Sequence, residues 1–169
     1  MSAFDLQTSQ ENARRRLGSA RVSGRLPRAD RGISRIDARV RSWLVELTSG
    51  HDRPPIADLL GRITEQCQNE GLDPPSRATV YKLLGTLPTS MYRLSELPAA
   101  VRSALYNLEP ESEVPGHQLA FYCFNYGDLA AVSFAAGLPW LALYQAQRLP
   151  GYRTKSRGLL EAVASVRGI

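Results

Sequence analysis

PPSRATVYKLL, residues 74–84, is the stretch on which the reading of this chain turns. Its proline pair stops whatever precedes it, Ser76 is a good helix N-cap, and Val80, Leu83 and Leu84 recur at the spacing of a helix that buries one face. Ala78, Thr79, Tyr81, Lys82 and Gly85 are thereby left facing outward, with Arg77 at the positive N-terminal end. Small residues at the tip permit close approach, Thr79 and Tyr81 offer hydroxyls, and Arg77 and Lys82 offer charge. Such a face suits an anionic partner; the plainer alternative is a surface helix that closes a bundle.

Two amphipathic stretches precede it. Ser34 is a candidate cap for a helix with Ile36, Val40, Trp43, Leu44 and Leu47 on one side, closed by Gly50. Pro54 and Pro55 then open a second, with Ile56, Leu59, Leu60, Ile63 and Cys67 along one face and Gly71 at its end. Three short helices with a sharp turn before the third predict a helix-turn-helix arrangement, whose third helix lies in the DNA major groove. Downstream, residues 91–94 read as a brief extended piece where a winged variant places its wing, with Arg93 available for a phosphate. A helix is expected over residues 98–108, and the acidic, proline-bearing EPESEVPG, residues 109–116, reads as a solvated connector.

Composition agrees with an anionic partner. The chain has 169 residues and a formal charge of +5, with a pI near 9.6. Lys82 and Lys155 are its only lysines, so nearly all positive charge is arginine, the side chain that forks onto phosphates and guanine edges. Residues 1–32 place Arg14, Arg15, Arg16, Arg21 and Arg25 among Gly, Ser and Pro, with too little apolar surface to offset ordering. This segment is expected to be a flexible arm that follows the phosphate backbone, or a tail kept for solubility. No apolar run reaches the roughly 18 to 20 residues needed to cross a bilayer, and residues 1–10 lack the order of a secretory signal. Cys67 and Cys123 have no metal-type spacing and are too few for a disulfide framework. A bacterial cytoplasm, in association with the nucleoid, is the expected location.

In the second half, Leu119–Gly127 is apolar and aromatic enough for a buried strand or a core helix; periodicity does not choose, and the reading leans to helix. From 128 to 149, Asp128 caps, Leu129 and Val132 face inward, Ser133 leaves room for a close helix crossing, Gly137 turns, Leu138 plugs the core and Pro139 opens a helix. AGLPWLALYQA, residues 136–146, resembles the turn and recognition helix of bacterial helix-turn-helix repressors, and PPSRATVYKLL is similar to DNA-binding segments of regulators and of the N-terminal parts of transposases and integrases. The resemblance implies a second reader with Ala142, Gln145 and Arg148 outward: Gln145 for an adenine edge, Arg148 for a guanine or phosphate. Leu141 departs from that pattern by putting an apolar group on the same face, for a thymine methyl or for packing. Arg153, Lys155 and Arg157 stand ready for a phosphate before a last amphipathic helix with Leu159, Leu160, Val163 and Val166.

His51 and His117, the only histidines, have no triad or zinc spacing, and the chain shows neither a phosphate-cradling Gly-rich loop nor a nucleophile elbow. An enzyme, a metal and a cofactor are therefore not expected. The expected fold is mainly α: a basic arm over 1–32, a first helix-turn-helix domain over 33–108 with a small β-wing, an acidic linker over 109–116, and a second helix-turn-helix domain with a C-terminal helix over 117–169. The expected function is a sequence-specific, double-stranded DNA-binding transcriptional regulator, with a homodimer as one assembly. An antitoxin-like protein that represses its own promoter and holds a partner through its C-terminal half is the first alternative. A non-catalytic DNA-end or origin binder of a mobile element is the second.

Overall fold

The computed structural model describes residues 36–169. Helix α1 (Ala38–Leu47) begins at Asp37, whose carboxylate accepts the Arg39 N–H at 2.9 Å. Helix α2 (Ile56–Asn69) follows the Pro54-Pro55 pair and ends where Gly71 adopts φ 65°, a left-handed conformation that suits glycine. Helix α3 (Arg77–Leu84) starts as its sequence implies, with Ser76 Oγ accepting the Thr79 N–H at 3.2 Å. Next come strand β1 (Met91–Arg93), one 3-10 turn (Leu94–Glu96), α4 (Ala99–Ala104) and strand β2 (Glu113–Pro115). Four helices complete the chain: α5 (Gly116–Tyr126), α6 (Leu129–Ala136), α7 (Trp140–Ala146) and α8 (Thr154–Val166). The described residues are thus mainly helical, with one small sheet.

The extended piece expected at 91–94 is a strand, β1. β1 pairs antiparallel with β2, Tyr92 opposite Val114, so the expected connector of 109–116 supplies a strand rather than a solvated link. Two apolar cores flank α7. Trp140, Leu141 and Tyr144 pack with Val40, Leu44, Leu59, Ile63, Val80 and Leu84 of α1–α3. Ala142, Leu143 and Ala146 pack instead with Leu119, Cys123, Val132 and Leu160. All seven residues of α7 are buried, so the two expected domains share one central helix. Where α5 meets α7, a Cβ on Gly116 would stand 3.1 Å from the Ala142 Cβ.

Residues 116–126 are helical, as leaned to. Asp128 caps α6 by accepting the Ala131 N–H at 2.9 Å, and Val132 is buried, but Leu129 is 84% exposed and does not face the core. Ser133 is also exposed. Ser34 lies outside the described residues, and Asp37 takes the capping place expected for it. Among the described residues no single helix is long and apolar enough to cross a membrane; α6 and α7 together reach that length only across a bend of 118°.

Candidate nucleic-acid interface

Helix α3 presents Ser76, Arg77, Ala78 and Lys82 to solvent, with Thr79 and Tyr81 half-buried behind them. The Ser76 and Thr79 hydroxyls lie 2.9 Å apart, in hydrogen-bond contact, so both are tied into the helix start. Arg77 stands over Tyr81, its guanidinium carbon 5.7 Å from the ring centre. The Arg77 guanidinium, seconded by that of Arg53, holds the Tyr81 phenol below its ordinary range. Arg53 comes from the loop before α2 and donates to the Gly168 carbonyl at 3.3 Å. Sequence reading missed Arg53 because it reaches α3 only through the fold; its position just before the proline pair was the sole local signal.

At the other end of α3, the Arg148 guanidinium carbon lies over the Tyr144 ring, 3.6 Å from its centre, and the side chain donates to the Tyr144 carbonyl at 2.9 Å and hydroxyl at 2.6 Å. It is exposed, and a Cβ on Gly85 would come within 4.0 Å of its Cδ. Arg77, Lys82 and Arg148 thus mark one helix, and among the described residues none of them has a carboxylate partner. Unpaired cations beside hydroxyls are suited to hydrogen-bonding phosphate oxygens.

Two expected readers do not reach this surface. Ala142 is 2% and Gln145 6% exposed, because α7 is packed between two cores. Instead of facing outward, Gln145 donates from Nε2 to the carbonyls of Leu84 and Leu87, both at 2.8 Å. The Leu84 carbonyl ends α3 and that of Leu87 lies in the turn after it, and one buried amide supplies both. Leu141 is buried as well, which settles its role as packing. Arg93 is exposed but faces Glu113 across the strand pair at 3.6 Å. Arg153, Lys155 and Arg157 are exposed around the start of α8, with Glu161 3.9 Å from Arg157. Arg14, Arg15, Arg16, Arg21 and Arg25 lie outside the described residues.

Charge is divided unevenly along the chain. Between residues 36 and 169 thirteen Lys and Arg stand against thirteen Asp and Glu, so the whole formal +5 belongs to residues 1–35, with eight arginines and three carboxylates. The described unit is electrically balanced, and any attraction it has for an anion comes from local arrangement.

A further arginine fixes the loops behind α3. Arg167 donates to the carbonyls of Ala136, Leu138 and His51, closing the end of α6 and holding the 48–53 loop, while Trp140 N–H also donates to His51 O at 3.0 Å. An arginine two residues before the last, Ile169, gives no local sign of this. Nearby, a pocket of about 270 Å3 is lined by Thr48, Thr89, Ser90, Tyr92, Pro139 and Leu141 among others, with no charged side chain. Among the described residues no group of three His, Cys, Asp or Glu is placed to hold a metal ion. Comparison of the chain with family models, curated proteins and solved structures gives no match.

Proposed function

We infer that the protein is a double-stranded DNA-binding regulator with one reading helix, α3, rather than two. The observation that carries this reading is the outward face of α3, where Arg77, Tyr81 and Lys82 meet Arg53 and Arg148 without a carboxylate partner among the described residues. In this reading α2 and α3 form the helix-turn-helix, Arg77 and Tyr81 approach base edges or phosphates near the N-terminal end of α3, and Arg148 grips a phosphate at the other end. Residues 1–35 add the salt-sensitive, sequence-independent part of the affinity through their arginines. A dimer would extend the site to two half-sites, and such a protein would reside with the nucleoid.

Genome-wide crosslinking followed by titration on the strongest site at two salt concentrations tests the reading. Sharp sites, with specific binding that persists at the higher salt and is lost in Lys82→Glu, are the expected result. Diffuse occupancy that Lys82→Glu leaves unchanged would overturn it. The antitoxin-like reading draws support from Leu129, which stands 84% exposed at the start of α6 and suits an apolar partner. A stoichiometric partner, released by Leu129→Asp, would favour it.

A further inference from the structure

Helix α5 and the loop before α8 carry a row of aromatic rings that duplex reading by α3 does not use. Tyr126 and Tyr122 have ring centres 6.0 Å apart, Tyr122 and Phe121 meet edge-on at 5.6 Å, and Phe121 and Tyr152 meet at 4.8 Å. Arginines stand at both ends of the row. The Arg153 guanidinium carbon lies 5.0 Å from the Tyr126 ring centre, and that of Arg157 lies 5.6 Å from the Tyr152 ring centre.

The outer end of the row is open, since Tyr126 is 47% exposed. It is also held in place. Asn125, 5% exposed, accepts the Arg153 N–H at 3.1 Å and donates to the Gly151 carbonyl at 3.4 Å, while Gly151 adopts φ 90°. Tyr152 and Arg153 are therefore set beside α5 by a braced turn. Charge completes the surface: Arg153 and Lys155 have no carboxylate partner among the described residues, and Arg153 occupies the N-cap place of α8 without any side-chain cap bond. Cations gathered at the positive end of a helix repel its dipole, a cost that a bound anion relieves.

Three kinds of anionic partner can be compared on chemistry. An acidic peptide satisfies the cations but offers nothing for the exposed Tyr126 ring at the end of the row. A duplex offers phosphates but keeps its base faces stacked inside. An unpaired strand presents base faces and phosphates together, and aromatic rings beside arginines are how proteins hold one. We propose that this face binds single-stranded nucleic acid, with a base stacked at Tyr126 and Arg153 and neighbouring phosphates held by Arg153 and Lys155. The proposal deepens the nucleic-acid reading but depends on residues outside α3, so the two can fail separately.

The test is fluorescence anisotropy with the full chain at physiological salt, using labelled oligothymidylate and a duplex of equal length, on protein whose folding is checked by circular dichroism. Tyr126→Leu and Arg153→Gln are each expected to weaken oligothymidylate binding at least about fivefold, leaving duplex binding unchanged. Lys82→Glu should give the converse pattern; if it alone fails to, the α3 reading falls and this one stands. Unchanged oligothymidylate affinity in both face variants would overturn the proposal. So would equal losses on single strand and duplex, or displacement of the oligonucleotide by polyglutamate as readily as by unlabelled oligothymidylate, because either shows that the face senses charge alone.

Discussion

Gln145 and Asn125 are buried amides that serve backbone groups rather than ligands. Gln145 supplies the Leu84 carbonyl at the end of α3 and the Leu87 carbonyl in the turn after it, and Asn125 braces the turn before α8. Gln145→Leu keeps the volume but strips Leu84 O and Leu87 O of their donor, and is expected to cost about 1–3 kcal/mol. Urea unfolding measures that loss, and duplex binding should weaken with it because α3 is no longer held at its end. Cys123 is a second buried group with a measurable signature. Burial pushes its thiol up to about 12, well above the ordinary 9.0. The thiol is neutral in the folded protein while the unfolded chain ionises, so this contribution to stability is full below about pH 9 and is lost as pH rises towards 12. Cys123→Ala should therefore reduce the fall in unfolding midpoint between pH 8 and pH 10, and the folded wild type should resist alkylation at pH 8.

At the scale of elements, α3 owes its start to one side chain. Ser76→Ala removes the acceptor for Thr79 N–H and is expected to cost about 1 kcal/mol, read by thermal or urea unfolding. Because Ser76 Oγ also contacts the Thr79 hydroxyl, the first turn should fray and duplex affinity fall, whereas Ser76→Asp should keep the fold. Helix α7 shows why a helix–turn–helix pattern in sequence does not identify a reader. Its capped predecessor, its Gly137 turn and its Pro139 start are all present, yet all seven of its residues are buried. A helix with apolar residues on every side belongs between two cores.

Across the whole molecule, the two cores depend on each other. Trp140, Leu141 and Tyr144 complete the apolar cluster of α1–α3, and a fully buried side chain of that size contributes about 1.5–3 kcal/mol. A fragment of residues 36–108 lacks all three, and is expected to show weak, non-cooperative unfolding by circular dichroism and a collapsed amide spectrum by NMR. Cooperative unfolding of that fragment would restore a two-domain description. The charge division gives a second prediction. Replacing the eight arginines of residues 1–35 with glutamine removes more than the entire formal excess of +5, and should flatten the dependence of duplex affinity on salt while leaving the unfolding midpoint of the 36–169 unit unchanged.

Local signals written into the sequence were enough for α3 and its outward face: the proline pair, the Ser76 cap and the spacing of Val80, Leu83 and Leu84 act within one turn of helix. The same holds for the ends of α2 at Pro55 and Gly71, and for the Asp128 cap of α6. What surrounds α7 is not local. Burial on all its faces arises from α1–α3 on one side and α5, α6 and α8 on the other, and that turned Ala142 and Gln145 from expected readers into packing and bracing residues. Arg53 beside Tyr81, Arg167 across three loops, and the row of rings from Tyr126 to Tyr152 likewise join residues remote in sequence. Hydrogen-bonded caps and helical periodicity are decided by neighbours along the chain; which face of a helix meets solvent is decided by what packs against it.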